Sequence, residues 1–192
     1  MSKSEILIKH DFFYLNKINN GLAVMDGENK GIIKIVVFGA LDAGKTTFVE
    51  TISGKKLLMK GEFERITNSF DFVQLDYNNY FIQMFATPGH RRFSFMWNTL
   101  AIGMDGAIFL IDSTVGISPV DKELIEFIKK HNVPYVVAVN KDDLVHLSQE
   151  NVREELGISD EVSVINTSSV TKQNLDLVME TLMMNITNTN NK

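Results

Sequence analysis

The stretch "KIVVFGALDAGKTTF", residues 34–48, joins an apolar run to a glycine-rich turn and decides the fold. Gly39 ends the apolar run, and Gly44, Lys45 and Thr46 open a helical pattern, which together match G-x-x-x-x-G-K-[ST]. In that pattern successive backbone N–H groups wrap around a β-phosphate, the lysine reaches the β and γ oxygens, and the Thr46 hydroxyl ligates Mg²⁺. An ordinary glycine-rich turn is the alternative, and the strand-to-helix context disfavours it. The predicted nucleotide-binding residues of this loop are Gly39, Leu41, Asp42, Ala43, Gly44, Lys45, Thr46 and Thr47.

Short apolar runs predict strands at 32–38, 70–75, 80–85, 107–111, 135–139 and 162–165. Helical patterns lie at 45–53, 119–130, 149–156 and 175–184. Strands that alternate with helices imply right-handed crossovers and a largely parallel sheet covered on both faces. The turn residues 76–79 are the exception and predict an antiparallel hairpin at the sheet edge. We therefore predict an α/β, doubly wound P-loop NTPase fold.

The length of 192 residues and the hydrophobic content of 44% fit one domain. We place that domain at 31–187, after an N-terminal extension at 1–30. The extension is either a structural element that covers a sheet edge or a segment that moves with nucleotide state. The polar end of the chain predicts a disordered tail at 188–192.

Charge and composition exclude several functions. The net charge of −5 argues against broad binding to nucleic acid, which depends on clustered Lys and Arg. The chain has no cysteine, so disulfides, thiolate metal sites and prenyl or palmitoyl anchors are excluded. Ser2 is not the glycine that myristoylation requires, and no apolar run approaches the roughly 20 residues of a membrane span. We expect a cytoplasmic protein without a lipid anchor.

A second motif bears on the choice between ATP and GTP. In "VVAVNKDDL", residues 136–144, Asn140, Lys141 and Asp143 follow an apolar run and resemble the N-K-x-D motif of GTPases. A carboxylate there accepts from both N1–H and the 2-amino group of guanine, a donor pair that adenine lacks. Asn140 would support N7 and the loop, and the stem of Lys141 would lie over the base. GTP and GDP are therefore the expected ligands; an ATP-dependent kinase or ATPase that shares only the phosphate loop is the alternative.

The last predicted strand ends in "NTSSV", residues 166–170, which resembles the E-T-S-A-K loop of Ras-like proteins. Ser168 and Ser169 would offer backbone N–H groups to guanine O6. Val170 replaces the lysine of that loop. A plain loop ahead of the final helix is the alternative.

With these motifs in place, residues 32–186 resemble the Ras-like small GTPases, and among them the Arf-like proteins and the prokaryotic branch that includes the gliding-motility GTPases. "GALDAGKTT" is similar to the Arf-type phosphate loop, and "TPGHRRFSFMW" is similar to the TPGQ-x-RF stretch of prokaryotic members. The resemblance implies a six-stranded sheet, a GTP/GDP switch with Mg²⁺, slow hydrolysis without an activator, and a regulatory or effector protein as partner. It also implies an effector patch; the aromatic residues in question are Phe70, Phe85, Phe93, Phe95 and Trp97. Core packing is the alternative for Trp97 and the favoured one for Phe85.

The resemblance assigns roles to further residues. The Arf spacing of 19 positions before Ala86 leads to Thr67, which would close onto Mg²⁺ and the γ-phosphate; an ordinary loop threonine is the alternative. Gly89 would offer its N–H to the γ-phosphate. His90 stands where Ras-like proteins carry the glutamine that orients the attacking water, and translational GTPases also have "PGH" there. The predicted catalytic residues are thus Lys45, Gly89 and His90, and the predicted metal ligands are Thr46 and Thr67.

Two positions depart from the Ras pattern. Ala86 lacks the carboxylate that usually holds a magnesium-bound water, and Asp71 and Asp112 are candidates to compensate, although Asp112 is more simply the cap of the following helical segment. Leu41 stands where Ras has glycine and crowds the route of an activating arginine. Two functions remain open: a GTP-hydrolysing switch, or a non-hydrolysing GTP-binding interaction module in which Ala86 and His90 mark lost chemistry.

Overall fold

The computed structural model describes residues 30–55 and 70–190. Within them, six strands form one sheet: β1 (Gly31–Gly39), β2 (Asp71–Tyr77), β3 (Tyr80–Ala86), β4 (Gly106–Asp112), β5 (Tyr135–Asn140) and β6 (Val164–Asn166). The order across the sheet is β2-β3-β1-β4-β5-β6. Strands β2 and β3 pair antiparallel, and all other neighbours pair parallel. The predicted fold, including the edge hairpin, is confirmed.

The helices of the described residues are α1 (Lys45–Ser53), α2 (Phe95–Ala101), α3 (Pro119–Lys129), α4 (Gln149–Leu156) and α5 (Leu175–Asn190). A short 3-10 helix, Arg91–Phe93, precedes α2. Helices α1 and α4 have the predicted bounds, whereas α2 and the 3-10 helix were not predicted. Helix α5 continues past the predicted end at 184 and includes residues 188–190 of the predicted disordered tail. Beyond the predicted end, Ile186 is buried against the sheet. It packs so closely on Gly106 of β4 that a Cβ added to this glycine would lie 2.7 Å from Ile186 Cδ1.

The core consists of two clusters, one on each face of the sheet. Helices α1 and α5 cover one face, with Phe48, Val178 and Leu182 among the buried residues of that cluster. Helices α2, α3 and α4 cover the other face. The side chains of β4 are buried along its whole length, as a central parallel strand covered on both faces requires.

The strand order fixes where a ligand can bind. Strand β1 lies between β3 and β4, where the chain crosses from one half of the sheet to the other, and the carboxyl ends at such a reversal form a crevice. Residues Gly39, Ala86, Asp112, Asn140 and Asn166 end β1, β3, β4, β5 and β6. The parallel pairing brings all five ends, and therefore both predicted nucleotide motifs, to the same side of the molecule.

Two predictions concern residues that lie partly or wholly outside the described ranges. Of the predicted extension at 1–30, only Lys30 is described, and it forms a 2.9 Å ion pair with Asp76 on β2. Thr67, the predicted switch ligand of Mg²⁺, lies in 56–69, outside the described residues. No helix of the described ranges is both long and apolar enough to cross a membrane.

Candidate functional site

The glycines of the phosphate loop are required by close contacts. Gly44 has φ +92°, and a Cβ there would lie 2.4 Å from Asn140 Nδ2. A Cβ on Gly39 would lie 2.6 Å from the carbonyl oxygen of Leu110. Neither position has room for a side chain, so the loop can turn tightly between β1 and α1 only with glycine there.

Lys45 is held over this loop by two backbone carbonyls. Its Nζ donates to the oxygens of Gly39 at 2.8 Å and Ala40 at 2.6 Å. Burial lowers the pKa of Lys45 to about 8, although Asp42 and other nearby carboxylates act in the opposite direction. The amine is therefore fixed in place by the loop itself, beside the position that the motif assigns to phosphate oxygens.

The turn after β3 packs directly on the phosphate loop. A Cβ on Gly89 would lie 2.6 Å from Lys45 Nζ and 2.8 Å from the oxygen of Ala40, so only glycine permits this approach. Thr87 N–H donates to the Val37 oxygen of β1 at 2.9 Å and fixes the start of the turn. The structure thus brings the predicted γ-phosphate sensor next to the predicted phosphate-binding lysine.

A cavity of about 380 Å³ opens where these parts meet. Its lining residues come from the phosphate loop, β2, the turn after β3 and the loop after β5: Leu41, Asp42, Gly44, Lys45, Thr46, Thr47, Asp71, Thr87, Gly89 and Lys141. Seven of the thirteen residues predicted to bind nucleotide from sequence lie in this one lining, so the cavity is the candidate phosphate site.

Thr46 meets a carboxylate in this cavity. Its Oγ1 donates to Asp71 Oδ2 at 2.5 Å. Burial raises the pKa of Asp71, and the hydrogen bond from Thr46 partly offsets that rise. A hydroxyl and a carboxylate are the oxygen ligands that Mg²⁺ prefers, so the residues present fit this ion. No group of three or more His, Cys, Asp or Glu in the described ranges could hold a metal, so bound Mg²⁺ would depend on phosphate oxygens as well.

Asn140 ties three loops together. Its Nδ2 donates to the Ala43 oxygen of the phosphate loop at 2.9 Å. Its Oδ1 accepts from the N–H of Ser169 at 2.9 Å and from the Ser169 hydroxyl at 3.0 Å. Asn140 is 2% exposed, so these bonds are shielded from water. The phosphate loop, the N-K-x-D loop and the loop after β6 are therefore held in one arrangement by a single amide.

Lys141 makes an ion pair that the sequence did not predict. Its Nζ lies 2.5 Å from Asp112 Oδ2. Burial alone would raise the pKa of Asp112, but the hydrogen bonds from Lys141 and Thr114 outweigh it and hold the pKa below its ordinary value. Asp112 also closes a turn through the N–H of Thr114 at 2.9 Å, whereas Ser118 caps α3. The expectation that Asp112 caps the following helix is wrong.

Asp143, the predicted reader of guanine, is exposed and is not among the residues that line the phosphate cavity. The preceding Asp142 is engaged by Asn166 at 3.0 Å, by Gln173 at 3.0 Å and by His146 at 2.7 Å. This bracing was missed from sequence because the motif N-K-x-D leaves the residue at that position unspecified. It fixes the loop while leaving Asp143 available to a base.

The N–H groups of Ser168 and Ser169 already have partners. Ser168 N–H donates to the Gln173 oxygen at 3.2 Å, and Ser169 N–H donates to Asn140 Oδ1. The contact of these two groups with guanine O6 stays a prediction. It requires that they share or exchange the acceptors that they have in this structure.

His90 lies beside the phosphate loop. A second cavity of about 260 Å³ is lined by Leu41, Gly89, His90 and Asp121, among others. The Nδ1 of His90 accepts from the N–H of Arg92 at 3.4 Å and caps the 3-10 helix. His90 does not line the phosphate cavity itself, and its assigned role with the attacking water stays a prediction.

The aromatic residues near the site divide between core and surface. Trp97 is 7% exposed and belongs to the core, whereas Phe95 is 67% exposed. Phe85 packs against Phe72 with ring centroids 4.7 Å apart, and Phe72 itself is 43% exposed. Phe70 is 38% exposed and also contacts Phe85. A partly exposed aromatic patch therefore exists on β2 and β3, and it includes Phe72, which the sequence analysis missed.

Comparison with known proteins identifies the family of this chain. The family model described as the elongation factor Tu GTP-binding domain matches residues 30–188. An uncharacterized protein of Methanocaldococcus jannaschii is 30% identical over 154 residues, which are 80% of this chain and 97% of that protein. A chloroplast translation initiation factor IF-2 of Porphyra purpurea is 32% identical over 160 residues, 78% of this chain and 21% of the factor. The chain thus spans about a fifth of the length of that initiation factor.

Among solved structures, the Arl6 (BBS3) small GTPase of Trypanosoma brucei with bound GppNp matches with a TM-score of 0.69 at 17% identity. The match covers 82% of this chain and 98% of that one, and it bears on the fold alone. The sequence match to the family model covers both the phosphate loop and the N-K-x-D loop. The chain belongs to the elongation factor Tu GTP-binding domain family, and is therefore a GTP-binding protein of the P-loop GTPase superfamily.

Proposed function

We propose that this chain is a molecular switch that binds GTP, hydrolyses it slowly to GDP and phosphate, and signals its nucleotide state to a protein partner. The observation that carries the proposal is the Asn140 bridge, which joins the phosphate loop to both guanine-recognition loops around one polar cavity. A site that bound only phosphate would not need the N-K-x-D loop and the loop after β6 to be hydrogen-bonded to the phosphate loop. The family supports GTP as the ligand.

Each residue of the site has a proposed task. Lys45 and the loop N–H groups bind the β- and γ-phosphates, and Gly89 N–H contacts the γ-phosphate. His90 orients the attacking water, and Asp143 accepts hydrogen bonds from guanine. Thr46 and Thr67 would hold Mg²⁺, which neutralises charge on the phosphates when bound.

The finer identity of the protein is also part of the proposal. The sequence features "GALDAGKTT" and "TPGHRRF" support membership of the Arf-like and gliding-motility branch of the small GTPases. The exposed aromatic side chains of Phe70, Phe72 and Phe95 support a protein partner, because aromatic residues are favoured at interface hot spots. The net charge of −5 favours a partner other than nucleic acid, and a cytoplasmic location is expected.

Base recognition is tested by Asp143→Asn. The amide oxygen still accepts from N1–H, but the amide NH₂ presents a donor where the carboxylate accepted from the 2-amino group, which fits the 2-oxo group of xanthine, so preference should shift from GTP toward XTP. Competition binding of both nucleotides measures the shift. The control is Asp142→Asn, which weakens the bracing of the same loop and should lower affinity for both nucleotides without a change in preference. An unchanged preference in Asp143→Asn would remove Asp143 from the guanine site.

A non-hydrolysing GTP-binding module is the second candidate, favoured by the alanine at position 86. His90→Ala separates the two. If His90 orients the water, turnover should fall roughly 100-fold while GTP affinity is kept. Arg91→Ala, which removes an exposed ion pair with Glu123, is the control and should leave turnover unchanged. Phosphate release from wild type that His90→Ala leaves intact would contradict the assignment, and no release from wild type would favour the non-hydrolysing module.

A further inference from the structure

Lys141 is fixed both at its backbone and at the tip of its side chain. Its backbone follows β5 with φ +67°, and its carbonyl oxygen accepts from the N–H groups of Leu144 at 2.9 Å and Val145 at 3.2 Å. Its Nζ lies 2.5 Å from Oδ2 of Asp112, the last residue of β4. The aliphatic stem therefore spans two fixed points, and only 28% of the side chain is exposed.

Asp112 can hold this amine because its two carboxylate oxygens have different donors. Oδ1 accepts from the N–H of Thr114 at 2.9 Å and from its hydroxyl at 2.6 Å, whereas Oδ2 accepts from Lys141. Thr114 thus fixes the orientation of the carboxylate and leaves one oxygen for the lysine. Burial acts to raise the pKa of Asp112, but the hydrogen bonds from Lys141 and Thr114 hold it below its ordinary value, so the group is charged at neutral pH.

The carboxylates that follow Lys141 in the sequence do not hold its amine. Asp142 is engaged by the side chains of the loop after β6 and of His146, and Asp143 is exposed. Asp112 comes instead from the neighbouring strand, where it is the direct partner of Asn140 in the register of β4 and β5. The ion pair therefore ties the end of β4 to the loop that the N-K-x-D motif assigns to guanine.

We propose that Asp112 is a positioning residue of the guanine site and acts through Lys141, whose amine it fixes so that the lysine stem forms one side of the site. The inference rests on the proposed binding of GTP or GDP. Packing a mobile lysine against a base costs side-chain conformational entropy, and a stem that is already fixed avoids most of that cost. Asp112 therefore strengthens binding of the base and not binding of the phosphates.

The test compares binding of GDP with binding of inorganic pyrophosphate, which lacks the base, by calorimetry on the nucleotide-free protein. The proteins are wild type, Asp112→Asn, Lys141→Met and the double variant. Asp112→Asn removes the charge but keeps an oxygen that can accept from Thr114, and Lys141→Met removes the amine but keeps an unbranched stem. The control is Asp76→Asn, the same substitution in the ion pair with Lys30 on β2. No readout requires hydrolysis.

Asp112→Asn should weaken GDP binding about 3- to 10-fold, the usual effect when one long side chain must be immobilised on binding, and should not weaken pyrophosphate binding. The double variant should bind GDP no more weakly than Lys141→Met, because Asp112 acts only through the amine. Asp76→Asn should bind both ligands as wild type does. An equal loss of both ligands in Asp112→Asn, or single losses that add in the double variant, would overturn the inference.

A measurement on the unsubstituted chain covers the case in which a variant does not fold. In the nucleotide-free protein, carbon relaxation should give Cε of Lys141 a clearly higher order parameter than Cε of the exposed Lys122. Addition of GDP should shift the hydrogen signals of the Lys141 stem upfield, as an aromatic ring over the stem requires. Equal order parameters, or GDP binding without this shift, would overturn the inference while leaving nucleotide binding intact. A wild-type chain that binds pyrophosphate but no GDP would instead overturn the proposed function, and the inference with it.

Discussion

Replacement of Asn140 by alanine should be among the most damaging single changes at the site, even in the absence of nucleotide. The substitution removes one bond to the Ala43 oxygen and two bonds from Ser169. Both partner residues are buried, with Ala43 at 0% and Ser169 at 3% exposed. Water cannot readily replace the lost amide, so the Ser169 N–H and the Ala43 oxygen lose their partner in a shielded environment.

The magnitude follows from the groups left behind. An orphaned buried donor costs about 1–3 kcal/mol and an under-satisfied carbonyl somewhat less, so the free energy of unfolding should fall by about 3 kcal/mol. With an m-value of about 2 kcal/mol per molar urea, the unfolding midpoint should fall by about 1.5 M. Urea unfolding of the nucleotide-free protein, followed by circular dichroism, measures this shift without any contribution from lost ligand.

Ser169→Ala is the graded control. It removes only the hydroxyl bond to Asn140 and keeps the backbone N–H bond, so it should cost about 1 kcal/mol or less. Asn140→Ala should therefore be clearly more damaging than Ser169→Ala. Equal midpoints for the two variants, or a midpoint of Asn140→Ala equal to that of wild type, would refute the view that this amide holds the three loops together.

Three further predictions concern backbone, charge and capping. Gly44→Ala should lower the melting temperature much more than Gly54→Ala. Both glycines have positive φ, but a Cβ on Gly44 would lie 2.4 Å from Asn140 Nδ2, whereas a Cβ on Gly54 would have no atom within 4 Å. Lys34 is 4% exposed, and burial lowers its pKa to about 8, so between about pH 8 and 10.5 the unfolded chain holds more protons than the folded one. The free energy of unfolding of wild type should therefore rise, relative to that of Lys34→Met, by up to about 3 kcal/mol as pH rises through that range. Urea unfolding of the two proteins at several pH values measures this difference. An identical pH dependence of the two proteins would contradict it. Ser118→Ala removes the capping box of α3 and should cost about 1 kcal/mol in the same assay, and a cost near zero would show that the cap is dispensable.

The parts of the fold that the sequence predicted are those with local signals. The bounds of α1 followed from Gly44 at its start and Gly54 after its end, both in the left-handed region. The parallel sheet followed from continuous apolar runs separated by helical patterns. Helix α2 was missed because it has only seven residues, too few to show a helical repeat, and because a 3-10 turn precedes it.

The contacts that the sequence could not predict are those that depend on register. The bond between Thr46 and Asp71 joins residues 25 positions apart, and only the pairing of β2 with β3 places Asp71 opposite Ala86. Asp71 and Asp112 are both candidates from sequence to compensate for Ala86, and no local pattern separates them. In the structure Asp112 pairs with Lys141, a contact between neighbouring strand ends whose register no local pattern encodes.

The central claim, that this site hydrolyses GTP, is tested most directly by single-turnover release of phosphate from GTP by the purified protein with Mg²⁺, beside Lys45→Ala. Lys45 is fixed over the phosphate loop by the oxygens of Gly39 and Ala40, so its removal should abolish release by this site while a contaminating phosphatase would be unaffected. We expect slow release from wild type and none from Lys45→Ala. Tight GTP binding by wild type without any phosphate release, or equal release from both proteins, would contradict the claim.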